Sequence, residues 1–243
     1  MLTDDFSGLV NATNGTLASI ANNFSPAVFA SSLAVEDMVL TDMILRSGLP
    51  IEIFTLETGR LHAETLSMVD RIKEKYGYAI KLYKPEPAAV EAYVKQNGLN
   101  AFYDSVEMRK ECCRIRKVEP LNRALAGKKA WVTGQRRAQS TTRAELAVQE
   151  NDDAHGMQKF NPLADWSEED VWHYIRTNDV PYNPLHDRGY PSIGCEPCTR
   201  AIQPGEDVRA GRWWWETPES KECGLHVVDG KLVRIKAVQT TSA

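Results

Sequence analysis

No apolar run in the sequence approaches the roughly 20 residues needed to span a bilayer, so no membrane-spanning helix is expected. The opening Met1-Leu2-Thr3-Asp4-Asp5 lacks the basic stretch and apolar segment of an export signal, and the cytoplasm is the expected location. Internal repeats and low-complexity tracts are also missing, which excludes a repeat architecture. There is no excess of positive charge: the formal net charge is −4, which argues against a general nucleic-acid binder. Cysteine is scarce, five in 243 residues. Structural disulfides are not expected in a reducing compartment, so any clustering of those cysteines points to metal binding or thiol chemistry.

What is present suits a soluble α/β protein, one domain with a tail. The apolar residues Phe6, Leu9, Val10, Leu17 and Ile20 are loosely spaced for one or two short helices, interrupted at Asn14-Gly15. From Val28 the pattern sharpens. A short strand (Val28-Phe29-Ala30) leads through Ser31-Ser32 to a helix carrying Met38, Val39, Ile44 and Leu45. A second strand at Ile51 to Phe54 runs into Leu56-Glu57-Thr58-Gly59-Arg60 and a helix carrying Leu61, Leu66, Met68, Val69 and Ile72, and a third strand lies at Ile80 to Tyr83. Further on, a helix is expected at Ala88 to Gln96, a strand at Trp131-Val132, and a helix opened by the capping pair Ser167 and Asp170 that stops before Pro181. Strand, loop and helix in repetition describe a parallel sheet wrapped by helices, with ligands bound at the carboxyl ends of the strands.

The cysteines fall into a pattern. Cys112 and Cys113 are adjacent, Cys195-x-x-Cys198 follows far downstream, and Cys223 is left over. One zinc ion would need four sulfurs about 3.8 Å apart around bonds of about 2.3 Å. Neighbouring residues point about 100° apart on a helix, or to opposite faces of a strand. Cys112 and Cys113 therefore suit a 4Fe-4S cluster, whose four iron corners each take a separate thiolate. A zinc knuckle and a buried structural pair are the alternatives.

Cations gather near these cysteines: Arg109, Lys110, Arg114, Arg116 and Lys117 around the first pair, Arg136, Arg137 and Arg143 in a segment without acids, and Arg209 and Arg212 after the second pair. A solvated face is the ordinary meaning of such a run. Three groups beside sheet-end loops fit instead a pocket for phosphate or sulfate, with Lys117 as the bridge between a polyanionic cluster and an anionic substrate. The Ser31-Ser32 turn, between strand and helix, is either a phosphate-receiving turn or only a polar one. Cys223 is a buried small hydrophobe on one reading and an exposed thiolate in a polar tail on the other. If it reacts, its target must be electrophilic and anionic, as a sulfonyl sulfur joined to phosphate is. Trp213, Trp214 and Trp215 fit packing against the domain or a subunit partner better than adenine stacking.

Together these features resemble the assimilatory adenosine 5'-phosphosulfate (APS) reductases, relatives of the phosphoadenosine phosphosulfate (PAPS) reductases. The resemblance runs from about Val28 to His226 and rests on both cysteine pairs, the Leu56 to His62 segment, the arginine loop Gly134 to Arg143, and the closing Glu222-Cys223-Gly224-Leu225-His226. It implies an adenine nucleotide α-hydrolase-like fold for residues 1–205 with a 4Fe-4S cluster on Cys112, Cys113, Cys195 and Cys198, and a mobile C-terminal segment, 206–243. Cys223 looks like the attacking thiol, and Lys117, Arg143, Arg209 and Arg212 look like the phosphosulfate ligands. Adenosine and its phosphate would be held by Ser31, Ser32, Leu56, Thr58, Gly59, Gly134 and Arg136. Two departures stand out: Glu57 occupies a usual Asp position, and Ala34-Val35 replaces a glycine-containing turn. The turn also differs from the Ser-Gly-Gly-x-Asp-Ser of ATP pyrophosphatases, which argues against ATP activation.

The activity implied is thioredoxin-dependent reduction of APS to sulfite and AMP through an S-sulfocysteine on Cys223, by a homo-oligomer that engages neither nucleic acid nor membrane. The rivals are a cluster-bearing PAPS reductase, a cluster-dependent tRNA-thiolating enzyme, and a non-catalytic zinc-binding module.

Overall fold

Residues 3–140 and 143–217 are described by the computed structural model. The four strands expected from the short apolar runs, β1 (Ala27–Ala30), β2 (Ile51–Leu56), β3 (Lys81–Tyr83) and β4 (Ala130–Val132), join two that were not expected, β5 (Gln149–Asp152) and β6 (Met157–Phe160), in a six-stranded sheet. Their order is β3-β2-β1-β4-β6-β5. All pairings are parallel except β5 with β6, a hairpin at the edge.

Side chains alternate across this sheet as a pleat requires. Phe29, Ile51, Ile53 and Val132 join the larger apolar layer, where they meet Leu17 and Ile20 of α1 (Thr3–Asn23), Met38 of α2 (Val35–Arg46), Met68 of α3 (Ala63–Tyr76) and Val171 of α7 (Glu168–Thr177). Val28, Phe54 and Trp131 face the other way, onto Leu121, Ala124 and Leu125 of α6 (Glu119–Leu125). Both faces are covered, which is why the central strands read as apolar runs rather than as strict alternation. Among the described residues no helix is long and apolar enough to cross a membrane.

Two local expectations change, and the element that carries the first cysteine pair, left open by the sequence, is a helix. The first segment is one helix of 21 residues, not two short ones. Gly15 is exposed, so the helix bears only a cost of about 1 kcal/mol there. Thr13 and Leu17 anchor it, Thr13 donating to the Pro162 carbonyl at 3.3 Å and accepting from Trp166 Nε1 at 3.0 Å. Leu61 lies outside α3 and pairs instead with Cys195 in an isolated bridge. The first cysteine pair ends a helix, α5 (Val106–Cys113), capped by Ser105 Oγ on the Met108 N–H. A single π-helical turn, Arg114–Val118, then joins α5 to α6, with the Glu119 N–H reaching back to Arg114 O. Pro120 explains that wide turn: it has no N–H for an ordinary helical bond, and its ring would crowd the preceding turn. The α4 helix (Pro87–Asn97) and the Ser167–Asp170 capping box at the start of α7 match expectation.

The boundary expected at 205/206 falls within a loop whose ends are tied together. Arg200 N donates to Gly211 O at 3.0 Å, and Thr199 bridges Arg212.

Asp42, fully buried in α2, knits three helices together. It accepts from Tyr76 Oη at 2.7 Å, Tyr174 Oη at 2.8 Å and Arg46 Nε at 2.8 Å. An Asp42→Ala variant should lose about 3–5 kcal/mol of stability in urea titration, because buried phenols and a cation lose their acceptor together. A loss under about 1 kcal/mol would show that the network is dispensable.

Candidate functional site

The loops that follow β1, β2 and β4 surround a cavity of about 610 Å³ at the carboxyl ends of the strands. After β1 the chain passes Ser31 and Ser32 and then places Leu33, fully buried, at a left-handed φ of 64°. That conformation is uncommon for a branched side chain and is held by its surroundings. Leu33 N donates to Ser31 Oγ at 3.2 Å, while the Ser32 N–H and hydroxyl both donate to Asp37 Oδ2. Gly134, after β4, reaches the same carboxylate through its backbone. A Cβ on Gly134 would lie 2.0 Å from Asp37 Oδ1, so the close approach of these two loops requires glycine. Burial, opposed by the Ser32 bonds and aided by Glu36, pushes the Asp37 carboxyl up to about 6.

Arg136 lines the cavity, but much of its guanidinium is engaged elsewhere. Nε and Nη2 reach Glu36 Oε1 at 3.1 and 2.8 Å, and Nη1 reaches Trp166 O at 3.3 Å. Gln139 Nε2 adds a bond to the same Glu36 oxygen at 2.9 Å, and its Oε1 accepts from Arg143. The Glu36–Arg136 pair therefore braces the loops and adds little net charge. The positive wall comprises Lys117, Arg143, Arg209 and Arg212. Opposite, the first N–H of α2, Val35 N, donates to His186 Nε2 at 3.2 Å. Burial keeps that imidazole's pKa below the usual histidine range, in keeping with a neutral ring whose Nε2 accepts.

After β2 the chain passes between two cavities. Leu56 and Thr58 line the large one. Thr58 Oγ1 also meets Cys195 Sγ at 3.3 Å, and its carbonyl accepts from Arg116 Nη1 at 2.7 Å. Gly59 lines neither cavity. It turns the chain at φ 71°, where a Cβ would stand 3.3 Å from Arg116 Nη1.

All four clustered cysteines line the second cavity, with Arg60, Arg109, Arg116, Lys117 and Trp213. Cys112 and Cys113 come from the end of α5, Cys195 and Cys198 from a 3-10 turn (Glu196–Cys198), and none of the four is in a disulfide. Burial raises the Cys112 thiol and pushes Cys198 up to about 12, the latter also through its neighbour Cys195. Both are thiols at neutral pH in the protein alone, and a bound metal would be needed to hold them as thiolates. No group of three or more His, Cys, Asp or Glu among the described residues is set to hold one metal ion. Trp213 carries an indole N–H that is buried and has no acceptor among the described residues.

The sequence-expected residues thus fall around two adjoining cavities that share Lys117 and Cys195. Ser31, Ser32, Leu56, Thr58, Gly134, Arg136, Arg143, Arg209 and Arg212 line the larger one. None of the three tryptophans does; Trp213 is buried at the cysteines, and Trp214 is 39% exposed. Cys223 lies outside the described residues. Sequence reasoning missed Asp37, Glu36, Gln139 and His186. The two acids follow the Ser31-Ser32 turn by a few residues, and their spacing to a strand end was the one available signal.

Residues 26–201 match the phosphoadenosine phosphosulfate reductase domain. The chain is 63% identical over 226 residues to the adenosine 5'-phosphosulfate reductase of Burkholderia cepacia, covering 93% of this chain and 90% of that protein. It is 59% identical to the enzyme of that name from Neisseria meningitidis serogroup A, covering 86% of each. Among solved structures it resembles a phosphate complex of phosphoadenylyl-sulfate (PAPS) reductase from Candida auris, with TM-score 0.67 and 26% identity over 83% of this chain and 98% of that one. An FMN adenylyltransferase from Candida glabrata shares the fold alone, with TM-score 0.54 and 16% identity over 91% of this chain and 80% of that one.

Asp37 gives this site a pH signature. Its folded pKa of about 6 stands above the ordinary 3.8, so the folded state holds the extra proton and loses stability as pH rises between those values. The stability difference between the wild type and Asp37→Asn should fall by up to about 3 kcal/mol from pH 4 to pH 6.5, measured by denaturant titration at each pH. A flat difference would contradict the raised pKa.

Proposed function

The chain belongs to the phosphoadenosine phosphosulfate reductase family, and on that premise we propose that it reduces APS to sulfite and AMP in sulfate assimilation. Its electron donor is a dithiol protein, thioredoxin or one like it. The observation that carries this reading is the shared wall: four cations face a nucleotide-sized cavity, and one of them, Lys117, also lines the chamber of four cysteines. The high identity to relatives named for APS, against 26% to a PAPS enzyme, favours APS as substrate.

Adenosine would occupy the end of the cavity formed by the loops after β1, β2 and β4, with its phosphate at Ser31, Ser32 and Gly134. Lys117, Arg143, Arg209 and Arg212 would take the phosphosulfate. Cys223, as thiolate, attacks the sulfonyl sulfur; the new S–S bond forms as the bond from sulfur to the phosphate oxygen breaks, and AMP departs with both electrons of that bond. The cations stabilise the charge growing on its phosphate. A thiolate of the dithiol protein then attacks Cys223 Sγ, sulfite leaves, and the donor's second thiol resolves the mixed disulfide and restores Cys223. The balance is APS plus a dithiol giving AMP, sulfite and a disulfide. All electrons come from thiols.

Cys112, Cys113, Cys195 and Cys198 would hold a 4Fe-4S cluster. The donor set fits: four cysteines outside any disulfide line one chamber without converging on a single ion, beside cations and a buried indole N–H that suit a polyanionic, sulfur-rich guest. When bound, such a cluster supplies negative charge and rigidity beside Lys117. Residues 206–243 act in this scheme as the unit that carries the thiol, in a cytoplasmic homo-oligomer. Tyr103 and Trp214, 41% and 39% exposed near the cysteines, offer apolar area for protein contacts.

A Cys223→Ser variant should keep an absorbance near about 400 nm yet form no sulfo-adduct when mass is measured after incubation with APS. An adduct on that variant, or full turnover, would overturn the assignment.

A further inference from the structure

Trp213 stands between two guanidinium groups. Arg109 Cζ lies 4.6 Å from its ring centroid and Arg212 Cζ 4.7 Å. The two arginines belong to different chambers, Arg109 to the cysteine cavity and Arg212 to the anion cavity. Trp213 is 1% exposed, and its backbone adopts a left-handed φ of 41°, unusual for so bulky a residue. Such a conformation persists where the surroundings over-determine it.

Trp213 N donates to Cys198 O at 3.1 Å, and Glu216 holds the other side. Its carboxylate takes Arg109 in a two-pronged ion pair, Nε to Oε1 at 2.9 Å and Nη2 to Oε2 at 2.8 Å, with both side chains buried. Glu216 N also closes a turn onto Trp213 O at 2.9 Å. A planar fork pairs in both directions only when it lies in the carboxylate plane. The pair therefore fixes the orientation of the Arg109 plane, and Arg109 in turn backs one face of the indole. Arg212 rests near that ring and is steered further by Ser192 Oγ and Ile193 O, each 3.3 Å from Nη1. Gly194 lets it pass: a Cβ there would sit 2.6 Å from Arg212 Nη2.

We propose that Arg109 and Glu216 are a positioning pair for the anion site: through Trp213 they set where Arg212 presents its charge to the phosphosulfate, although neither lines the anion cavity. This rests on the reading of Arg212 as a substrate ligand. Glu216 also offsets the charge of Arg109 on the cysteine side of the stack. Sequence spacing gave no hint of this, because Arg109 and Glu216 are 107 residues apart.

The test is a double-mutant cycle on APS binding, run by calorimetry in the full-length chain with Cys223→Ser so that APS is not consumed. Glu216→Gln keeps the shape of the acid and removes its charge. It should weaken APS binding about 5- to 10-fold in the Arg212 background and less than about 2-fold in the Arg212→Ala background, the coupling expected of residues acting as one unit. Arg109→Lys, which keeps the charge but loses the planar fork and stack, should give the same pattern and serves if Glu216→Gln does not fold. Melting temperature and absorbance near about 400 nm verify that each variant is intact. Unchanged binding in Glu216→Gln, or equal losses in both backgrounds, would overturn the proposal alone. An Arg212→Ala variant that binds APS as the parent does would overturn both the proposal and the assignment of Arg212 as ligand.

Discussion

Thr58 sits where two chambers meet, and much of the site's geometry depends on it. Its hydroxyl contacts Cys195 at 3.3 Å while its carbonyl holds Arg116 at 2.7 Å. One short loop at the end of β2 is thereby bound to both cysteine-bearing segments, α5 with its π turn on one side and the 195–198 turn on the other. Glu196 N tightens the same junction through Arg60 O at 2.8 Å. A nucleotide in the large cavity would press on the loop that contacts a cysteine. Chemistry at the anion wall and the state of the cysteine chamber are therefore hard to separate mechanically, even with no electron passing between them.

The electrostatics of the anion cavity follow from which charges are cancelled. Glu36 neutralises Arg136 inside the wall, and Glu216 neutralises Arg109 behind it. Asp37, beside Glu36 in the chain, is pushed towards its neutral form by burial. Such arrangements spend buried ion pairs on fixing loops, and isolated buried charge is avoided. Lys117, Arg143, Arg209 and Arg212 line one volume, where a bound phosphate would meet several guanidinium and ammonium groups at once.

The central strands were legible in the sequence because each is a short apolar run ended by a turn, and α7 because Ser167 and Asp170 form a local capping box. The β5–β6 hairpin was not legible. Gln149-Glu150-Asn151-Asp152 is polar and poor in β-formers, and it pairs only at the sheet edge. The π turn escaped notice for a similar reason, since it reflects what Pro120 cannot donate and leaves no apolar periodicity. The cysteine chamber was foreseen from pairing and compartment, but that argument gave no partner for Thr58 or Trp213. Gly59, expected among the nucleotide contacts, lines neither cavity and turns the chain beside Arg116. Asp37 and His186 line the cavity and are held by contacts made across the fold, to Gly134 and to Val35, and no linear spacing marks such contacts.

The claim on which the account rests is that the two chambers form one site for reducing a sulfonucleotide. Sulfite release from APS and from PAPS, measured side by side with reduced thioredoxin, tests it most directly. The account predicts sulfite from APS with one AMP formed per sulfite, and much slower release from PAPS. No sulfite from either nucleotide, with the chromophore intact, would contradict it.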